Sequence, residues 1–165
     1  MARPIEPDAV KVTIRALVVD PTTNSPVVIL AKPEEDAYLP IWIGVCEANA
    51  IAVTLEGVVP PRPLTHDLIG SLITELGFHI DHVFIHNLDD SIFFASIRLR
   101  NGDGDHHAID ARPSDAIAVA LRAQADVFVA PTVLAKAVVT ETSQEEAVKT
   151  ILERMRPEEM GDWEM

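Results

Sequence analysis

The sequence predicts an α+β fold: a mixed, largely antiparallel sheet with packed helices, in a single compact domain. Three observations lead there. Segments that alternate apolar and polar residues, separated by Pro, Gly, Asn and Asp clusters, fall at 10–43 and again at 79–111, the pattern of antiparallel meanders. Between and after them lie stretches with helical spacing at 47–55, 65–76 and 113–122. At 165 residues the chain is long enough to bury one real core.

In order, Val10, Val12, Ile14, Ala16 and Val18 alternate with Lys11, Thr13, Arg15 and Leu17 as a half-buried strand. The loop from Asp20 to Pro26 leads into a returning strand, Val27–Ala31, apolar on both faces. Leu39–Ile43 is a third strand, with Pro40 near its start or at a sheet edge. Glu47–Leu55 is helical and Gly57 stops it; Val58–Pro63 is a stiff connector. Thr65 is placed to cap a second helix through Leu76, with Leu68, Leu72, Ile73 and Leu76 on one stripe and Gly77 closing it. A meander follows: His79–Leu88, a turn at Asp89-Asp90, Ile92–Arg100 with Phe93, Ala95, Ile97 and Leu99 on one face, then His106–Ala111. After a buried helix from Pro113, Val127–Ala130 is a short strand and Thr132–Ala137 a helical turn. Ser143-Gln144-Glu145-Glu146 has capping-box spacing, and Val148, Ile151, Leu152 and Met155 form the stripe of a last helix that Pro157 ends. The organisation is a domain over 1–140 followed by an amphipathic helix and acidic tail over 141–165.

Composition narrows the class. The apolar fraction of 48% and charged fraction of 24% are those of a soluble globular protein. No apolar run reaches the ~18 residues that span a bilayer, and Met1–Pro7 lacks the apolar core of a signal peptide. Cys46 is the single cysteine, so no internal disulfide exists. These features predict a cytoplasmic protein with no membrane partner. The net charge of −13 is spread along the chain, and no basic run offers phosphate neutralisation to a nucleic acid. The same charge leaves open a non-enzymatic module: an oligomeric scaffold, or a regulator that binds a small anion.

The richest stretch is Ile109–Arg122, with Asp110, Arg112, Ser114 and Asp115 gathered at a strand-to-helix corner. Pro113 suits the first helical position. Asp110 and Ser114 read as caps and Asp115 as an acid at the positive end of the helix dipole. A cap needs no arginine between two acids, whereas a phosphate or carboxylate site does. Arg62-Pro63-Leu64-Thr65-His66-Asp67 repeats the logic: an arginine beside a proline, then a His-Asp pair in a first helical turn. Glu47 is the better candidate of the pair Glu47 and Glu56, which sit about 13.5 Å apart along their helix and cannot act together. His79, His82 and His86 are a poor ligand set, since strand positions four apart lie roughly 13 Å from each other. Asn49–Leu55 matches Asp115–Leu121 at five of seven positions, which pairs the two helices in one layer.

Taken together, Leu39–Gly44, Glu47–Ile51, Arg62–Leu68 and Asp110–Ala118 resemble the bifunctional nuclease domain family over about residues 10–140. The resemblance implies a compact α+β fold, action on RNA and DNA, and homo-oligomers, here read as dimer-based. For phosphodiester hydrolysis, Asp110, Asp115, His66 and Asp67 are the candidate catalytic residues. Arg62, Arg112 and Ser114 are candidate substrate ligands, and Asp110, Asp115 and Glu47 a candidate oxygen set for Mg²⁺ or Mn²⁺.

Overall fold

The computed structural model describes residues 8–33, 35, 37–137 and 139–140. In chain order its elements are β1 (Val10–Val19), β2 (Pro26–Ala31), β3 (Ala37–Trp42), α1 (Val45–Leu55), α2 (Thr65–Glu75), β4 (Phe78–Asp89), β5 (Ile92–Asn101), β6 (His106–Ala111), α3 (Pro113–Ala123), β7 (Asp126–Val129), α4 (Pro131–Ala137) and β8 (Val139–Thr140). The helix expected after Ser143 lies outside the described residues.

The strands form one mixed sheet in the order β6-β5-β4-β7-β1-β2-β3-β8. It consists of two antiparallel meanders, β1-β2-β3 and β4-β5-β6, joined by β7. That strand pairs antiparallel with β1 and parallel with β4. Asp90 and Ser91 close the β4–β5 hairpin with φ of +45° and +64°, as a two-residue turn matched to strand twist requires.

Each meander ends in a corner and a helix, and the two helices α1 and α3 pack side by side. The echo positions Ile51 and Ile117 are both fully buried. Burial is uneven along them: Ala116–Ala120 of α3 is enclosed throughout, while Leu55 of α1 is exposed. Helix α3 lies on β4, β5 and β7, and α2 packs against α3 and β4.

Three departures from the sequence reading have physical causes. A β-bulge between Ile14 and Ala16 inserts Arg15 as an extra residue in β1. A bulge shifts the side-chain period by one, so Leu17 rather than Ala16 or Val18 joins Ile14 against the core. Pro40 sits inside β3, paired with Ile29; β8 reaches only Ala37 and Tyr38, so Pro40 still faces an open edge among the described strands. On α2, Ile69 and Ile73 pack against the core, whereas Leu68, Leu72 and Leu76 are exposed. A hydrogen bond from His66 to Asp115 and an ion pair from Asp67 to Arg122, both on α3, fix the rotation of α2 about its axis. The inward face then follows 66, 69 and 73, not 68, 72 and 76.

Strand β2 is apolar on both faces, as its sequence indicates. Val27–Leu30 is fully buried inside the sheet between β1 and β3, so it presents no edge that needs a second subunit. No helix among the described residues is long and apolar enough to cross a membrane.

Candidate functional site

The two corners picked out from the sequence meet in space. At the second, Arg112 occupies the N-cap position of α3 in an extended conformation, with Pro113 at the first helical position. No side chain caps this helix, so Asp110 and Ser114 are not caps. Ser114 is buried in the first turn. At the first corner, Leu64 rather than Thr65 holds the N-cap position of α2. The carboxylate of Asp67 reaches back to accept the Leu64 backbone N–H at 2.7 Å. That single bond replaces the hydroxyl cap, because Thr65 is already inside the helix.

A chain of charged groups runs across the three helix starts. Arg112 donates from Nε to Asp115 Oδ2 at 2.7 Å and from Nη2 to Glu47 Oε1 at 2.9 Å. Asp115 Oδ1 lies 3.0 Å from His66 Nε2. Burial opposes ionisation of Asp115, but hydrogen bonds from Arg112 and His66, with their charges, outweigh it and hold the carboxyl below its ordinary value. An ionised carboxylate only accepts hydrogen bonds, so the proton on this contact belongs to Nε2. In neutral His66 the lone pair is therefore on Nδ1. The Arg112 guanidinium is raised by its hydrogen bonds to Asp115 and Glu47, and stays charged.

Around this chain opens a cleft of about 1030 Å³. The first turns of α1, α2 and α3 all face it, through Cys46, Glu47 and Asn49, through Leu64 and His66, and through Arg112 and Asp115. Three helix N-termini place unpaired N–H groups and positive dipole ends around one space, a setting that favours an anion. Arg112 remains two-thirds exposed at its side chain despite both ion pairs. Its Nη1 donates no hydrogen bond among the described residues.

Of the residues singled out from the sequence, the cleft gathers Glu47, His66, Asp110, Arg112 and Asp115. Asp110 lines it without joining the ion-pair chain. Asp67 is turned away from it: beyond its capping bond it pairs with Arg122 Nε, tying α2 to α3. The Leu64 N–H lowers the Asp67 carboxyl most, burial opposes this, and Arg122 adds to the lowering. Arg62 is exposed on the connector, outside the lining, and Ser114 is also outside it. As the strand reading implies, His79, His82 and His86 do not converge; His82 bonds Asp81 at 2.8 Å and stands edge-on to Phe128.

The proposed oxygen set for Mg²⁺ or Mn²⁺ does not assemble. No three His, Cys, Asp or Glu side chains among the described residues are placed to hold one ion. Glu47 and Asp115 each spend a carboxylate oxygen on Arg112. Sequence reasoning missed Arg122, whose partner lies 55 residues away, and the cleft wall of Ile97 and Ile109. The wall was within reach, since both isoleucines fall in the alternating phase of neighbouring strands.

The model of the bifunctional nuclease domain matches residues 28–142, a span that holds every residue of the ion-pair chain. Two relatives are 41% identical over 145 residues, covering 87% of this chain and 86% of theirs. Both are uncharacterized proteins of Mycobacterium tuberculosis, one from strain CDC 1551 / Oshkosh and one from strain ATCC 25618 / H37Rv. With its fold, its corner motifs and this match in agreement, the chain belongs to the bifunctional nuclease domain family.

Proposed function

We propose that the cleft hydrolyses phosphodiester bonds in RNA and DNA, with His66 as the proton-transferring residue and Arg112 as the phosphate ligand. The observation that carries this reading is the single chain Glu47–Arg112–Asp115–His66 at the meeting of three helix starts. Arg112 Nη1 donates to a non-bridging phosphoryl oxygen and stabilises the charge that grows there. Nδ1 of His66 takes the proton from the attacking water as its oxygen bonds to phosphorus. The bond to the leaving oxygen breaks, and that oxygen leaves with a proton returned by the imidazolium. Asp115 fixes the tautomer of His66 and offsets the imidazolium charge. Glu47 is a positioning residue that holds Arg112 from the other side.

A second reading is favoured by one observation. Arg112 is already paired with two carboxylates within a chain that carries −13 overall. In that case the cleft is a regulatory anion-binding module without turnover. Rigorously purified protein is to be assayed on RNA and DNA with Mg²⁺, with Mn²⁺ and with EDTA, beside His66→Ala, Arg112→Ala and the Asp110→Ala, Asp115→Ala double variant. Hydrolysis by the parent that each variant reduces at least tenfold supports the nuclease. Activity that survives in all three variants, or phosphate binding with no hydrolysis under any condition, refutes it.

A further inference from the structure

The cleft's dimensions and walls bear on what length of substrate it takes. Its volume of about 1030 Å³ stands just above the usual range of small-molecule and cofactor sites, roughly 300–1,000 Å³. Beside the charged groups, the lining is Cys46, Asn49 and Thr65 together with a larger aliphatic part, chiefly Leu64, Ile69, Ile97, Ile109 and Val119. Ile97 and Ile109 are direct cross-strand partners on β5 and β6, so their side chains stand together on one face. Ile109 is 48% exposed and Leu64 38%, leaving apolar surface open to an occupant.

Proteins that follow a long single strand without sequence preference combine a basic groove with aromatic platforms for successive bases. Neither device is present among the described lining residues. Arg112 is the one Lys or Arg there, and His66 the one aromatic ring. Outside the cleft a long polyanion meets a chain of net charge −13 and gains little from counterion release. A nucleotide-sized unit escapes that cost: one phosphate meets Arg112 and one base meets the aliphatic wall.

We infer that the cleft takes one nucleotide unit of a short single strand, its phosphate at Arg112 and its base along Ile97, Ile109 and Leu64. The substrate class is then short oligonucleotides rather than long RNA or DNA. This rests on the phosphodiester reading above and adds substrate length to it.

The test is equilibrium binding to the full chain of adenosine 5′-monophosphate, inorganic phosphate, a dinucleotide and a twenty-nucleotide single strand, across a series of salt concentrations. Each phosphate contact on a single strand contributes a slope of about −0.7 in log K against log salt, so dinucleotide and long strand are both expected between about −0.7 and −1.4. A slope that steepens with strand length overturns the inference, as does failure of the monophosphate to bind. Ile109→Gln, at an exposed edge-strand position, is expected to weaken the monophosphate about tenfold and leave inorganic phosphate within about twofold; equal losses would remove the base wall. Arg112→Ala is expected to lose both ligands. Hydrolysis is scored separately. Binding of this pattern without turnover sinks the nuclease and leaves the nucleotide site, whereas cleavage that improves with strand length does the reverse.

Discussion

Asp115 holds Nε2 of His66 at 3.0 Å across 49 residues of chain. The contact joins the first turn of α3 to the first turn of α2, so one hydrogen bond sets a ring tautomer and a helix-to-helix docking together. Asp115→Asn keeps the shape and removes the charge. Turnover is expected to fall about 10²-fold or more, the scale of a lost acid–base contribution, with KM changed far less. Steady-state kinetics on a short oligonucleotide check this.

Acid should weaken the fold through three carboxylates. Asp20 is lowered first by the indole N–H of Trp42, bonded at 2.9 Å, and then by the Thr22 N–H. Asp67 and Asp115 are also lowered from the ordinary value of 3.8. A carboxyl whose folded pKa lies below its unfolded one contributes stability above the unfolded value and loses it as pH falls through the folded value. Urea midpoints are therefore expected to be flat above about pH 5 and to drop below pH 4. Asp20→Asn should flatten the drop, with Trp42 fluorescence followed in a Trp163→Phe background. A midpoint that rises on acidification contradicts the assignment.

Gly44 precedes α1, and a Cβ there would sit on Oε2 of Glu47. The obstacle is the end of a flexible side chain and the Gly44 backbone is ordinary, φ −74°, so Gly44→Ala should cost less than about 1 kcal/mol of stability. It should push Glu47 away from Arg112. Inorganic phosphate is then expected to bind several-fold tighter, having one carboxylate fewer to compete with, while kcat falls because Arg112 is no longer held. Calorimetry and kinetics on the same preparation measure the two effects.

Ser91 pays a steric cost at φ +64° in the β4–β5 turn. Ser91→Gly is expected to stabilise the protein by roughly 0.5–1 kcal/mol, since Asp-Gly is the preferred pair for such a turn. Thermal unfolding should show a higher Tm with unchanged phosphate binding. An unchanged or lower Tm rejects this account of the turn.

Leu68, Leu72 and Leu76 form an exposed ridge on α2, 52%, 53% and 75% accessible. Two copies of so acidic a chain can approach most closely where charge is sparse, and beside these three leucines the same face carries Glu75. A dimer through paired α2 helices is the expected assembly. Sedimentation at micromolar concentration should find it, and Leu72→Lys should return a monomer. A parent that sediments at 18.0 kDa sets the dimer aside.

Most strands were legible because alternation is local: β5 and β6 fall where their apolar phase puts them. The bulge at Arg15 was not legible, since an extra residue leaves no mark in composition. The rotation of α2 was hidden for a different reason. Six apolar residues from Leu64 to Leu76 allow several inward faces, and polar contacts to residues 49 and 55 positions away choose among them. At the site, Arg112 and Asp115 were readable as a pair three residues apart. Their meeting with Glu47 and His66 depends on the sheet bringing two corners together. Asp67 caps α2 and pairs with Arg122, a role the sequence did not separate from a catalytic one because a capping acid and a catalytic acid look alike in one dimension.

The strand β7 has a consequence beyond sheet order. Its four residues are the seam between the two meanders, bonded to β1 on one side and β4 on the other. Glu47 and His66 come before the second meander, Arg112 and Asp115 after it, so each half owns two of the four charged groups. Neither half alone can carry a cleft. The cleft can exist only with the seam closed, so a fault at Val127 or Phe128 would pull apart charged groups that lie elsewhere in the chain.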